Sequence, residues 1–281
     1  MALTIAGAGA ADAAPAGSAK PPTTTAPPTT TAPPTTTTTA TTTTATTTAP
    51  PSAGSQFWSS NFATAGLANF QDTPYNDVGA SAPVLVDSTA IAAGGKALKF
   101  TMPGGGQRSE VVPNTAEFGE GADRWFGYSV VLASNFPVDV TTWQLITQWK
   151  NDGTGSPPLE LDVNKGEFSL GGGYGYPGGS RLFQQSLGAA TTGQRVDFTF
   201  HIRFSRDPAK GTVDVYRNGA PPVTVHPPGG TLYPTSRKST ASVNSYWKMG
   251  IYRDTAITQP AVMTIESARI GDSAASVAPA P

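Results

Sequence analysis

A two-sheet antiparallel sandwich of the jelly-roll kind is the fold that this sequence predicts for its larger part. Three observations carry that expectation. Short runs of alternating apolar and polar residues recur from about Gln56 to Gly271, separated by Gly, Pro, Asn and Asp turns. No stretch sustains a helical apolar period over a useful length. The run Arg195 to Phe204 sets Val196, Phe198, Phe200, Ile202 and Phe204 on one face, and Asp197, Thr199, His201 and Arg203 on the other.

Along the chain, residues 1–19 are rich in alanine and glycine and lack the positive start of a complete signal peptide. Leu3-Thr4-Ile5 followed by Ala11-Asp12-Ala13 reads as the tail of an apolar core with a small-residue cleavage site, so a start upstream of Met1 is expected. Residues 20–54 are almost entirely Thr, Pro and Ala. Such a segment has too little apolar area to offset its ordering entropy, which predicts a disordered, extended linker suited to O-glycosylation outside a cell. The sandwich is expected over 55–275, with a short tail at 276–281. Within it, Ala97 to Met102, Trp125 to Leu132 and Arg195 to Phe204 read as strands, and Val213 to Tyr216 as a strand entering a hairpin turn at Arg217-Asn218-Gly219.

Composition narrows the function. The 281-residue chain carries a net charge of −1, which argues against a broad nucleic-acid-binding surface, so any cationic function must be local. It has no cysteine, hence neither disulfides nor thiolate metal sites. No apolar run approaches the roughly 20 residues of a membrane span. A secreted monomer is expected, since about 220 residues can build a core without disulfides.

Three separated segments place polar groups on single strand faces. They are Arg108-Ser109-Glu110, Gln148-Trp149-Lys150 and Lys248-Met249-Gly250-Ile251-Tyr252. Residues two apart share a face, so Arg108 with Glu110, Gln148 with Lys150, and Lys248 with Tyr252 can line one surface. A cationic, tyrosine-bearing surface of this kind suits acidic sugar chains. Gly250 between Lys248 and Tyr252 reads as a notch where a sugar ring approaches the backbone, with Lys248 serving an adjacent subsite.

These segments resemble three signature strands of jelly-roll polysaccharide lyases. Family-seven alginate lyases carry them as R-[ST]-E, Q-[IV]-H and Y-F-K-x-G-x-Y, and Tyr246 to Tyr252 departs from the third only by tryptophan for phenylalanine. Trp125 to Ser129, His201 to Ser205 and Gly250 to Arg253 are still closer to the heparin-lyase-I and glucuronan-lyase group. The resemblance implies β-elimination at a uronic acid without a cofactor. In that chemistry Arg108 forks onto the substrate carboxylate, Gln148 donates an amide hydrogen bond to it, and Lys150 adds charge. Tyr252 takes the C5 proton and returns one to the leaving oxygen, a task that neighbouring cations favour. Lys150 stands where the family pattern has histidine, which moves the proton work onto Tyr252, with His201 as a candidate to compensate.

Substrate binding is assigned to Glu110, His201, Arg203, Tyr246, Lys248, Arg253, Tyr174 and Tyr176. The last two ride on Gly171 to Tyr176, which reads as a loop at a cleft rim. Asp152, Glu160 and Asp162 show no calcium-loop pattern, so no metal is expected. Two rivals stand beside the lyase: a non-catalytic carbohydrate-binding module of the same fold, and a glycoside hydrolase using Glu110 with Glu160 or Asp162. The modest number of basic residues disfavours heavily sulfated substrates.

Overall fold

The structure is a computed structural model that describes residues 54–71, 75–91, 94–151, 155–175, 179–232 and 244–279. The expected leader and Thr/Pro linker lie outside the described residues but for Gly54, as do Asp152, Tyr176 and the last two residues.

Alternation in the sequence becomes strands throughout. In chain order these begin with β1 (Gln56–Ser59), a four-residue helix α1 (Phe62–Ala65), β2 (Tyr75–Val78), β3 (Val84–Asp87) and β4 (Lys96–Met102). There follow β5 (Arg108–Val111), β6 (Asp123–Leu132), β7 (Gln144–Lys150), β8 (Leu159–Asn164), β9 (Glu167–Tyr174) and β10 (Arg181–Ala189). The last are β11 (Arg195–Arg203), β12 (Thr212–Arg217), β13 (Val223–Val225), β14 (Tyr246–Arg253) and β15 (Ala261–Gly271).

They form two antiparallel sheets. One runs β13-β12-β11-β6-β15-β4-β3, with β1 also on β15; the other runs β10-β9-β8-β7-β14-β5-β2. The expected sandwich is therefore observed. Asn218 and Gly219, both with positive φ, leave β12 as the expected turn. Among the described residues no helix is long and apolar enough to cross a membrane.

Between the sheets, aromatic rings form the centre of the core. Phe126 of β6 meets Trp149 of β7 at 5.3 Å, Trp247 of β14 at 5.2 Å and Phe118 at 5.1 Å, all edge-on. Trp149 and Trp247 are directly paired across β7 and β14 and stack at 6.0 Å. Beneath them the Thr147 hydroxyl accepts from Trp247 Nε1 at 2.6 Å and donates to the Lys248 carbonyl at 2.7 Å. Because side chains alternate, fixing Trp149 and Trp247 inward fixes their neighbours Gln148, Lys150 and Lys248 on the opposite face.

Candidate active site

The three motif segments become the adjacent strands β5, β14 and β7 of the second sheet. Register places Arg108 opposite Tyr252, Lys248 opposite Gln148 and Tyr246 opposite Lys150. The face predicted from the sequence is thus assembled from residues far apart in the chain.

Glu110 is its hub. The carboxylate is fully buried, accepts from Gln148 Nε2 at 2.6 Å, and lies 2.8 Å from Lys248 Nζ and 3.5 Å from Arg108 Nε. Burial pushes the Lys248 ammonium pKa down, and Glu110 opposes that shift. With 3 % exposure, Lys248 is an internal counter-charge and not the subsite residue expected of it. Glu110 likewise positions its neighbours from below and does not face a ligand. Arg108 is different. Held by Glu110 through Nε, it lays its guanidinium 3.7 Å from the centre of the Tyr252 ring.

Tyr252 is half-buried and borders a cleft of about 340 Å³ with Trp143, Leu145, Pro157, Glu160 and Leu182. Trp143 meets the Tyr252 ring edge-on at 4.7 Å. A cavity of similar size opens on the other sheet by Ser59, Lys96 and Glu266, remote in the fold from the three motif strands. Lys150, 8 % exposed, donates to the Gly155 carbonyl at 2.9 Å at the border of the Tyr252 cleft.

β8 adds two carboxyl groups. Burial raises the Glu160 pKa well above the usual carboxylate range, nearby Asp162 raises it further, and Lys150 opposes. Burial raises Asp162 to about 7 against a hydrogen bond from Gln184 Nε2 at 3.3 Å. The sequence signal was the alternation of Glu160 and Asp162 between Leu159, Leu161 and Val163, all three of which are fully buried. Glu160 and Asp162 were weighed for calcium or hydrolysis and not for this cleft, whereas Trp143, Leu145 and Leu182 were missed. Among the described residues no group of three or more His, Cys, Asp or Glu is arranged to hold a metal ion.

Several expectations are corrected. His201 belongs to β11 in the other sheet, where its ring stacks on Trp125 at 4.2 Å and its nitrogens lie 2.6 Å from Asp123 and 3.2 Å from Asp214. On that polar outer face it cannot serve the cleft, and Arg203 stays beside it, 3.3 Å from Asp123. Arg253 alternates away from Tyr252, is fully buried, and donates to the Gly106 and Pro103 carbonyls. Gly171 to Gly173 are not loop but part of the C-terminal half of β9, where added Cβ atoms would strike Asp162, Pro158 and Ser156. Tyr174 ends that strand on the alternation opposite Gly173, whereas Leu182, paired with Gly173, lines the cleft. Gly250 is no open notch: at φ 138° its Cβ would lie 2.1 Å from the Ser109 carbonyl oxygen.

Comparison with known proteins bears on the family and the fold. The polysaccharide lyase family model matches residues 60–269, nearly the whole sandwich. The chain belongs to that family. This polysaccharide lyase superposes on the endo-β-1,4-glucuronan lyase of the fungus Trichoderma reesei with a TM-score of 0.58 at 14 % identity, over 79 % of this chain and 98 % of that one. The family-7 alginate lyase A1-II′ is a more distant neighbour, at TM-score 0.48 and 16 % identity, over 62 % and 78 % of the two chains. No curated protein matches the lyase in sequence.

Proposed function

We propose that this lyase is secreted and cleaves a uronate-containing polysaccharide by β-elimination, with Tyr252 moving the proton and Arg108 gripping the carboxylate. The observation that carries the reading is the Arg108 guanidinium at 3.7 Å over the Tyr252 ring, anchored on buried Glu110 and adjoining a cleft. The Thr/Pro-rich segment and a polymeric substrate support work outside the cell.

Deprotonation at C5 puts negative charge on the neighbouring carboxylate, so that group must be neutralised first. Arg108 supplies a permanent charge and two terminal NH2 groups. Gln148 is tied to Glu110 through Nε2 and is 2 % exposed, so it supports the clamp from beneath. Tyr252, as phenolate, takes the C5 proton; the C4–O4 bond breaks as the C4–C5 double bond forms; the resulting phenol protonates the departing O4. Lys150 adds positive potential at the Gly155 border of the cleft. The fold similarity to a glucuronan lyase supports a β-1,4-linked glucuronate backbone as the first polymer to try.

The test follows ultraviolet-absorbing unsaturated ends and reducing ends together on β-1,4-glucuronan, assaying both culture medium and cell lysate. Unsaturated ends formed by enzyme in the medium are expected. Tyr252→Phe should lower kcat by about 10²- to 10⁴-fold with little change in KM. Near-wild-type turnover in that variant overturns the proton-transfer role, and reducing ends without absorbance overturn β-elimination.

A further inference from the structure

We propose that the sugar next to the reacting uronate, on the β7-β8-β10 side of Tyr252, is an uncharged one, so that the substrate is a mixed chain in which uronate adjoins neutral residues. This rests on the reading of Arg108 and Tyr252 as the uronate site.

The two sides of Tyr252 differ in chemistry. Toward β5 lies the Arg108 guanidinium. Toward β8 and β10 the cleft is walled by Trp143, Leu145, Pro157 and Leu182, and its only charge-bearing lining residue among those described is Glu160. Among the described residues no cationic side chain lines that side, Lys150 reaching only its Gly155 border. Lys150 is 8 % exposed and engages the Gly155 carbonyl, and Lys248 is paired with Glu110. Asp162 lies behind Glu160 on the same strand face, held by Gln184 from β10. Trp143 is 39 % exposed and Leu182 67 %, a large apolar display for an enzyme that meets a polyanion.

A carboxylate of a second uronate would enter this space against Glu160 and Asp162, with Lys150 already engaged by the Gly155 carbonyl and acting on Glu160. If both acids are ionised they repel it. If they are protonated they donate hydrogen bonds, which hydroxyls accept equally well. A neutral pyranose fits in either state: its C–H face covers Trp143 and Leu182, and its hydroxyls meet Glu160. This combination of apolar walls with few polar anchors is the usual make-up of an orienting subsite. The acidic floor then acts against chains of consecutive uronates.

The distinguishing substrate is β-1,4-glucuronan in which about half of the carboxyl groups have been reduced to give interspersed glucose, leaving the linkage unchanged. Its kcat/KM per remaining uronate should exceed that of the unreduced polymer by about tenfold, since juxtaposed like charges are costly. Mass spectrometry of the unsaturated disaccharides should find glucose beside the new double bond more often than its share of the polymer. Leu182→Lys, on the exposed edge strand, should shift the preference back toward unreduced chains. Equal or faster cleavage of the unreduced polymer, with uronate beside the double bond at or above its share, overturns the inference while leaving the lyase reading intact. An unmoved preference in Leu182→Lys overturns the placement of the subsite. Absence of unsaturated product from both polymers overturns the inference together with the reading on which it rests.

Discussion

Residue 110 shows how one buried carboxylate can organise a surface it does not join. Glu110 gathers Gln148, Lys248 and Arg108 from three strands, and without it Lys248 would be a buried charge lacking this counter-ion. The sequence pattern revealed which residues meet, because alternation places them on one face. It could not reveal that Glu110 and Lys248 lie beneath the others, since depth within a face depends on packing. Asp162 offers the sharpest test at this scale. Its pKa is about 7 in the folded protein against an ordinary 3.8, so between these values the folded state holds a proton that the unfolded state has lost. The Asp162 contribution to stability therefore declines as pH rises through that window and levels off above about 7. Asp162→Asn removes the titration. Urea unfolding should show the variant gaining on wild type from pH 4 to pH 8 by a few kcal/mol, at roughly 1.4 kcal/mol per unit of separation. A constant difference across that range would place the Asp162 pKa near its ordinary value.

Among the elements, β14 joins β5 to β7 at the centre of the site and is itself irregular. Against β7 its register shifts between Met249 and Tyr252, and β7 shifts in turn against β8 between Leu145 and Thr147. The second shift explains why part of the cleft was illegible. Counting by two from Gln148 puts Ile146 on the cleft face, yet Ile146 is fully buried in the core and Leu145 lines the cleft instead. A bulge displaces alternation by one residue, and nothing in the local sequence marks it. Motif recognition succeeded on β5 and on the Gln148–Lys150 part of β7, where pairing with β14 is regular, and failed for Trp143 and Leu145 beyond the bulge. Gly250 is where the irregularity is fixed. Its φ of 138° is one that residues with a side chain rarely adopt, and a Cβ would meet the Ser109 oxygen at 2.1 Å and Glu110 Cα at 2.8 Å. Gly250→Ala is expected to cost about 2–4 kcal/mol, combining backbone strain with overpacking. It should also lower kcat by displacing Tyr252 from Arg108. Unfolding and turnover both within error of wild type would show that the strand can relax there.

At the scale of the whole molecule, the sandwich was readable because its strands announce themselves, and the His201 misplacement shows what pattern alone could not supply. Two polar strand faces look alike in sequence; which one borders the site depends on the sheet to which each strand is added, and β11 joins the sheet opposite β14. What links the two sheets is the aromatic cluster around Phe126, which reaches across from β6 to Trp149 and Trp247. Those two tryptophans fix the register of Gln148 and Lys248, so core packing and site geometry are one problem seen from two faces. Phe126 itself never reaches the cleft. Phe126→Ala should destabilise by about 3–5 kcal/mol, lowering Tm by about 2–4 °C for each kcal/mol in a domain of this size. Scanning calorimetry measures the first effect, and turnover well below the new transition measures the second. If the cluster sets the register, kcat falls as well, because the cavity lets Trp149 and Trp247 move and carries Gln148 and Lys248 with them. A large fall in Tm with kcat unchanged at low temperature would mean that the backbone ladder of β7 and β14 holds the site without help from the core.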